Sequence, residues 1–196
     1  MAFVLPSGLP RPETLAWRVL NIRFLKLCDK SEILDLSHRF KTLHCLTTLD
    51  NEQDFDEQIL SLVKLFIDSL NQEELIKNIR VEEKEVIDFL EKRNVQNLKE
   101  IKTGIDKFEL FVLSQQYSIP DMFDFLRKLQ ALRSFDVAHR KSSDKSKRKS
   151  IINFFGLDTK HKQEILDDIF RDTVKTISTL EDLFINENLG NIICKE

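Results

Sequence analysis

Between residues 13 and 189 the chain contains a single proline, Pro120, and two glycines, Gly104 and Gly156. Sheets and barrels draw on these residue types for tight turns and bulges, so an interior this poor in them argues for helices. With 41% hydrophobic and 32% charged residues, 196 positions supply a core and a solvated surface, enough for one domain or one domain with an appendage. Fifteen phenylalanines against one tryptophan and one tyrosine make that core a Phe/Leu/Ile interior with few polar aromatic tips.

The apolar spacing agrees with an all-α reading. Leu5 to Pro12 is turn-rich and reads as a linker or extended arm over residues 1–12, with N-terminal helices over 13–50 packing on a bundle formed by 51–196. One helix is expected from about Glu13 to Cys28. A second, capped by Asp29 or Ser31, carries Ile33, Leu36, Phe40 and Leu43. A third, capped by Asn51 or Asp54, carries Phe55, Ile59, Leu62 and Phe66, and Asn71 opens a shorter piece. Charged helix 81–93 precedes a long helix over about 95–117, with Gly104 inside it and Leu98, Ile101, Ile105, Phe108 and Val112 on one face. Ser118-Ile119-Pro120-Asp121 is a stop-and-start signal, and Met122, Phe125, Leu129 and Leu132 form the buried face of the helix it opens. Polar, basic residues 140–150 are expected as a loop, 151–157 as a short apolar return, and 160–186 as a final helix. The predicted architecture is a bundle of long antiparallel helices with extra N-terminal helices.

The net charge of −3 makes no polyanion binder of the whole molecule, but its distribution is uneven. From His139 to Lys149 six cations stand against one acid, a net of +5 that leaves −8 for the rest of the chain. A basic segment on an acidic body attracts phosphate or another acidic partner locally. Cys28, Cys45 and Cys194 are odd in number and widely spaced, which disfavours a disulfide framework or zinc ribbon and makes a reducing, cytoplasmic compartment the default. Residues 1–10 lack the basic start and long apolar core of a secretory signal. No run approaches the ~18–20 apolar residues of a membrane span, so no membrane partner is expected.

Potential chemistry, a composition change and the basic run coincide at Leu132-Arg133-Ser134-Phe135-Asp136-Val137-Ala138-His139-Arg140-Lys141. A histidine near neutral pKa can take the proton from a ribose 2′-hydroxyl or give one to the 5′-oxygen leaving group. An arginine can hold the scissile phosphate and stabilise its extra charge in the transition state. Arg140, Lys141, Lys145, Lys147, Arg148 and Lys149 would draw in the RNA backbone. Geometry sets a condition. Six residues of unbroken helix rotate by about 600°, leaving Arg133 and His139 ~120° apart, so they converge only if the helix loosens or a second subunit contributes. Arg133 and Arg140, seven apart, share a face of a continuous helix.

Arg133, five residues and His139 resemble the R-x4-6-H signature of the HEPN superfamily (higher eukaryote and prokaryote nucleotide-binding domains). The resemblance implies a helical bundle, frequent dimers with two motifs in one cleft, and often metal-independent endoribonuclease activity in toxin–antitoxin, abortive-infection and other antiviral systems. Many members are non-catalytic. Catalytic members usually carry Asn, Asp or His after the arginine; here Ser134 stands there, and Asp136 could orient His139 in its place. The expected catalytic set is Arg133, His139, Asp136 and Ser134, with no metal and no cofactor. The rival expectation is a non-catalytic module that dimerises, docks in a larger assembly or senses nucleotide through the same basic junction. In the plainest alternative, Arg133 pairs with a carboxylate, His139 satisfies a helix end and the chain is a helical adaptor.

The remaining motifs are weaker. His38 and His44 are six apart and miss the i, i+4 spacing of a two-histidine metal grip. His161 opens the last helix beside Asp158 and reads as a surface residue. Glu73-Glu74 and Glu82-Glu83-Glu85 read as solvated helix faces.

Overall fold

The computed structural model describes residues 52–68, 70–136 and 145–183. The arm and the two helices expected over 13–50, all three cysteines, His38 and His44 lie outside the described residues. Among the described residues the protein is an all-α bundle with no strand. Its helices are α1 (Glu52–Val63), α2 (Gln72–Lys77), α3 (Lys84–Lys92), α4 (Gly104–Ser114), α5 (Pro120–Asp136), α6 (Lys145–Phe155) and α7 (Lys162–Glu181). A π-helical turn, Lys64–Asp68, extends α1, and a 3-10 turn, Leu98–Glu100, precedes α4.

The central helix is α1. Phe55, Ile59, Leu62, Val63 and Phe66 are buried, as the spacing predicts, but so are Gln58 and Ser61 on another side of the helix. A helix buried around most of its circumference lies inside the bundle. It packs against α5, whose Met122, Phe125, Leu129 and Leu132 are buried together with Phe123 and Leu126. The Phe108 and Phe123 rings meet edge to face, 5.4 Å between centroids, and join α4 to this core. The other side of α4 presents Leu110 to a satellite cluster with Val86 and Ile101, which seats α3.

Several boundaries differ from the sequence reading. The helix expected over 95–117 is a 3-10 turn, an extended break at 101–103 and then α4. The Thr103 hydroxyl accepts the Asp106 backbone N–H at 3.1 Å and starts α4 afresh, so Gly104 stands at its first position and not in a helix interior. A Cβ on Gly104 would lie 3.3 Å from Gln72 Nε2, so the glycine also lets α2 come close. The charged helix begins at Lys84, leaving Val81 outside it and half exposed.

The basic loop expected over 140–150 is helical from Lys145 onward. Lys145, Lys147, Arg148 and Lys149 belong to α6, which continues through the supposed apolar return to Phe155. Lysine and arginine are good helix formers, and the segment holds no glycine or proline to oppose them. Ile151 and Phe155 are its buried anchors, while Phe154 points outward. The helix ends at Gly156, whose φ of +70° lets the Leu157 N–H reach the Ile152 carbonyl at 3.1 Å. The Glu164 carboxylate accepts the His161 backbone N–H at 3.1 Å and opens α7.

Candidate nucleic-acid interface

Arg133 lies on the last turn of α5, where a cation is favoured by the negative end of the helix dipole. Its Nη1 donates to Asp68 Oδ2 at 2.6 Å, bringing together residues 65 apart in sequence. The side chains are 32% and 24% exposed. A pair this open to solvent contributes about 0–1 kcal/mol. That is enough to orient the guanidinium and too little to lock it away from a phosphate. One of five guanidinium N–H donors is committed in this bond.

The other expected site residues divide sharply. Ser134 is exposed, and its hydroxyl donates to the Gln130 carbonyl at 3.2 Å, one turn back on the same helix. Its proton is thereby committed to its own backbone, and its oxygen keeps acceptor capacity. Asp136 closes α5, but its side chain lies outside the described residues, as do His139, Arg140 and Lys141. The helix is unbroken from Arg133 through Asp136, so any loosening that brings Arg133 and His139 together falls after that point. Lys147, Arg148 and Lys149 are exposed on the first turns of α6, and the side chain of Lys145 is outside the described residues. The first turn of α6 holds no acidic residue. Cations there oppose the positive end of the dipole at a cost of about 0.3–1 kcal/mol each, and an approaching anion relieves that repulsion.

α6 turns back along α5, since the Lys128 ammonium lies 3.8 Å from the Phe154 ring centroid. This places the cationic helix on the element that carries Arg133. Beside it, a cleft of about 450 Å³ lies between the start of α5, Phe154 and the second half of α7. Four of its polar residues are engaged: Asp124 accepts from Lys128 at 2.5 Å, Lys175 donates to Asp172 at 2.9 Å, and Thr176 to the Asp172 carbonyl at 2.9 Å.

Sequence reasoning missed both Asp68 and a second ion cluster. Arg127 on α5 donates to Asp106 at 2.7 Å and also to Glu109, while Arg93 donates to Asp106 at 2.9 Å. Burial by itself would lower the Arg127 pKa. The hydrogen bonds to Glu109 and Asp106 outweigh it and hold the guanidinium above its ordinary value. The cluster is charge-balanced and ties α4, α5 and the end of α3 together. Asp106 and Glu109 give a faint signal in the sequence, two acids three apart within a mostly apolar helix; Asp68 gives none.

Among the described residues no three histidine, cysteine or carboxylate side chains cluster closely enough to hold a metal ion. No helix among them is long and apolar enough to cross a membrane. No family model, curated protein or solved structure matches the chain.

Proposed function

We propose that the protein is a HEPN-like helical domain that engages RNA phosphodiesters at the end of α5 and the start of α6. Arg133 binds the scissile phosphate, His139 acts as general acid/base, and cleavage needs no metal. The proton of the 2′-hydroxyl passes to the base as the 2′-oxygen attacks phosphorus. The bond to the 5′-oxygen breaks and that oxygen leaves protonated, giving a 2′,3′-cyclic phosphate and a 5′-hydroxyl. Two copies facing each other would bring two motifs to one cleft, as the family resemblance implies.

The observation that carries this reading is the Arg133 guanidinium, one-third exposed and oriented by Asp68, on the element against which the cationic helix α6 packs. Asp68 is a positioning residue: it fixes one nitrogen and leaves the rest of the fork for the ligand. The same ion pair favours a second reading, a non-catalytic RNA- or nucleotide-binding module in a larger defence or regulatory assembly. The carboxylate offsets charge that would stabilise a transition state, while the guanidinium's remaining N–H donors can still hold a phosphate.

Binding of a labelled single-stranded RNA in EDTA tests what the two readings share. Replacing Lys147, Arg148 and Lys149 together by glutamine is expected to weaken binding and lower the salt slope by about 2, at roughly 0.7 per lost contact. An unchanged slope would remove RNA from both readings. Turnover of the bound RNA separates them: cleavage supports the nuclease, and binding without cleavage supports the module.

A further inference from the structure

We infer that Ser150 is a phosphorylation site and that its modification weakens the cationic end of α6; the consequence for RNA rests on the functional reading above. Lys145, Lys147, Arg148 and Lys149 precede the serine within five residues, and the apolar Ile151 follows it. Protein kinases choose substrates by charge pattern, and a kinase with an acidic peptide cleft reads cations N-terminal to the acceptor.

The fold leaves this serine available. Residues 146–150 are all exposed, and Ile151 is the first residue of the stretch that is buried. The hydroxyls of Ser134, Thr173, Thr176 and Thr179 each donate to a carbonyl one turn back, whereas the Ser150 hydroxyl donates to none among the described residues. α6 begins with cations at the positive end of its dipole and carries no acidic residue in its own first turn, an arrangement that weakens a helix start. Unwinding as far as Ser150 exposes no core side chain, and the segment can extend into a kinase cleft while Ile151 and Phe155 hold the rest of the helix in place.

The γ-phosphoryl group of a nucleoside triphosphate moves to Ser150 Oγ. The new O–P bond forms as the bond from γ-phosphorus to the bridging oxygen breaks, the hydroxyl proton passes to the base of the kinase, and nucleoside diphosphate leaves. The phosphate brings a charge of about −2. On re-formed helix it lies beside Lys147, three residues back. Half of the local charge of four cations is thereby cancelled.

The test uses the full chain with magnesium ATP and the catalytic subunit of a basophilic serine kinase. Mass spectrometry locates the phosphate, and two readouts follow: affinity for single-stranded RNA and the salt needed for elution from phosphocellulose. The expected result is phosphate on Ser150, earlier elution, and RNA affinity lower by roughly 25-fold near 0.1 M salt, from a slope reduced by about 1.4. Ser150→Ala is expected to escape modification there and keep its RNA affinity. Phosphate on Ser146 instead, no phosphate, or a modified chain that elutes as before would overturn the inference. If the unmodified chain fails to bind RNA while modification at Ser150 still brings earlier elution, the functional reading fails and the site stands.

Discussion

Two arginines on α5 show how burial decides what a guanidinium does. Arg127 is held by Asp106 and Glu109, whose side chains are only 11% and 14% exposed, so removing it strands acids that water reaches poorly. Arg127→Met is expected to cost about 2 kcal/mol, below the 3–5 kcal/mol of a fully buried pair because Arg127 is itself partly exposed. Urea unfolding measures this, and a loss under 0.5 kcal/mol would show the cluster to be ornamental. Arg133 has one carboxylate partner in a more open setting, so Asp68→Asn is expected to change stability by less than about 1 kcal/mol. The same variant should change RNA binding through the freed guanidinium, which a filter-binding titration reads. The sequence singles out Arg133 only by its spacing to His139, and what the structure adds is its partner. Asp68 is not singled out, because a contact across 65 residues follows no local pattern.

At the scale of elements, starts were easier to read than breaks. Asn71 caps α2 through the Glu74 N–H at 3.2 Å, and Pro120 opens α5, both as the sequence indicates. The break before α4 was hidden because Leu98, Ile101, Ile105 and Phe108 keep a helical interval across it. The cap signal, Thr103 three residues before Asp106, lay within that interval. The basic segment differs for another reason: its polarity suggests a loop, whereas its residues favour helix. Three helices end on a residue with positive φ: Asn94 at 53°, Gln116 at 65° and Gly156 at 70°. In each, the following N–H bonds the carbonyl five residues back. Asparagine and glycine suit that conformation, whereas glutamine is strained in it. Gln116→Gly is therefore expected to stabilise the protein by about 0.5–1 kcal/mol, despite loss of the exposed contact from Gln116 Nε2 to Glu83. Thermal unfolding checks this, and a lower midpoint would contradict it.

At the scale of the molecule, the all-α class followed from the shortage of glycine and proline in the interior. The two-sided burial of α4 did not, because a single periodic face cannot reveal that the opposite face is covered by α3. Phe108 is wholly buried at the centre of this arrangement, against Phe123. Phe108→Ala is expected to cost about 3–5 kcal/mol, measurable by denaturant unfolding. A loss near 1 kcal/mol would mean that the main core does not depend on α4. This scaffold carries Arg133 and α6 on neighbouring elements, and the proposed chemistry depends on what His139 adds to them. The experiment to make is cleavage of a mixed RNA pool in EDTA, comparing the intact chain with His139→Ala and analysing the product ends. The expected result is cleavage by the intact chain alone, leaving 2′,3′-cyclic phosphates. Equal cleavage by His139→Ala, or none by either protein while both bind RNA, would contradict the nuclease mechanism.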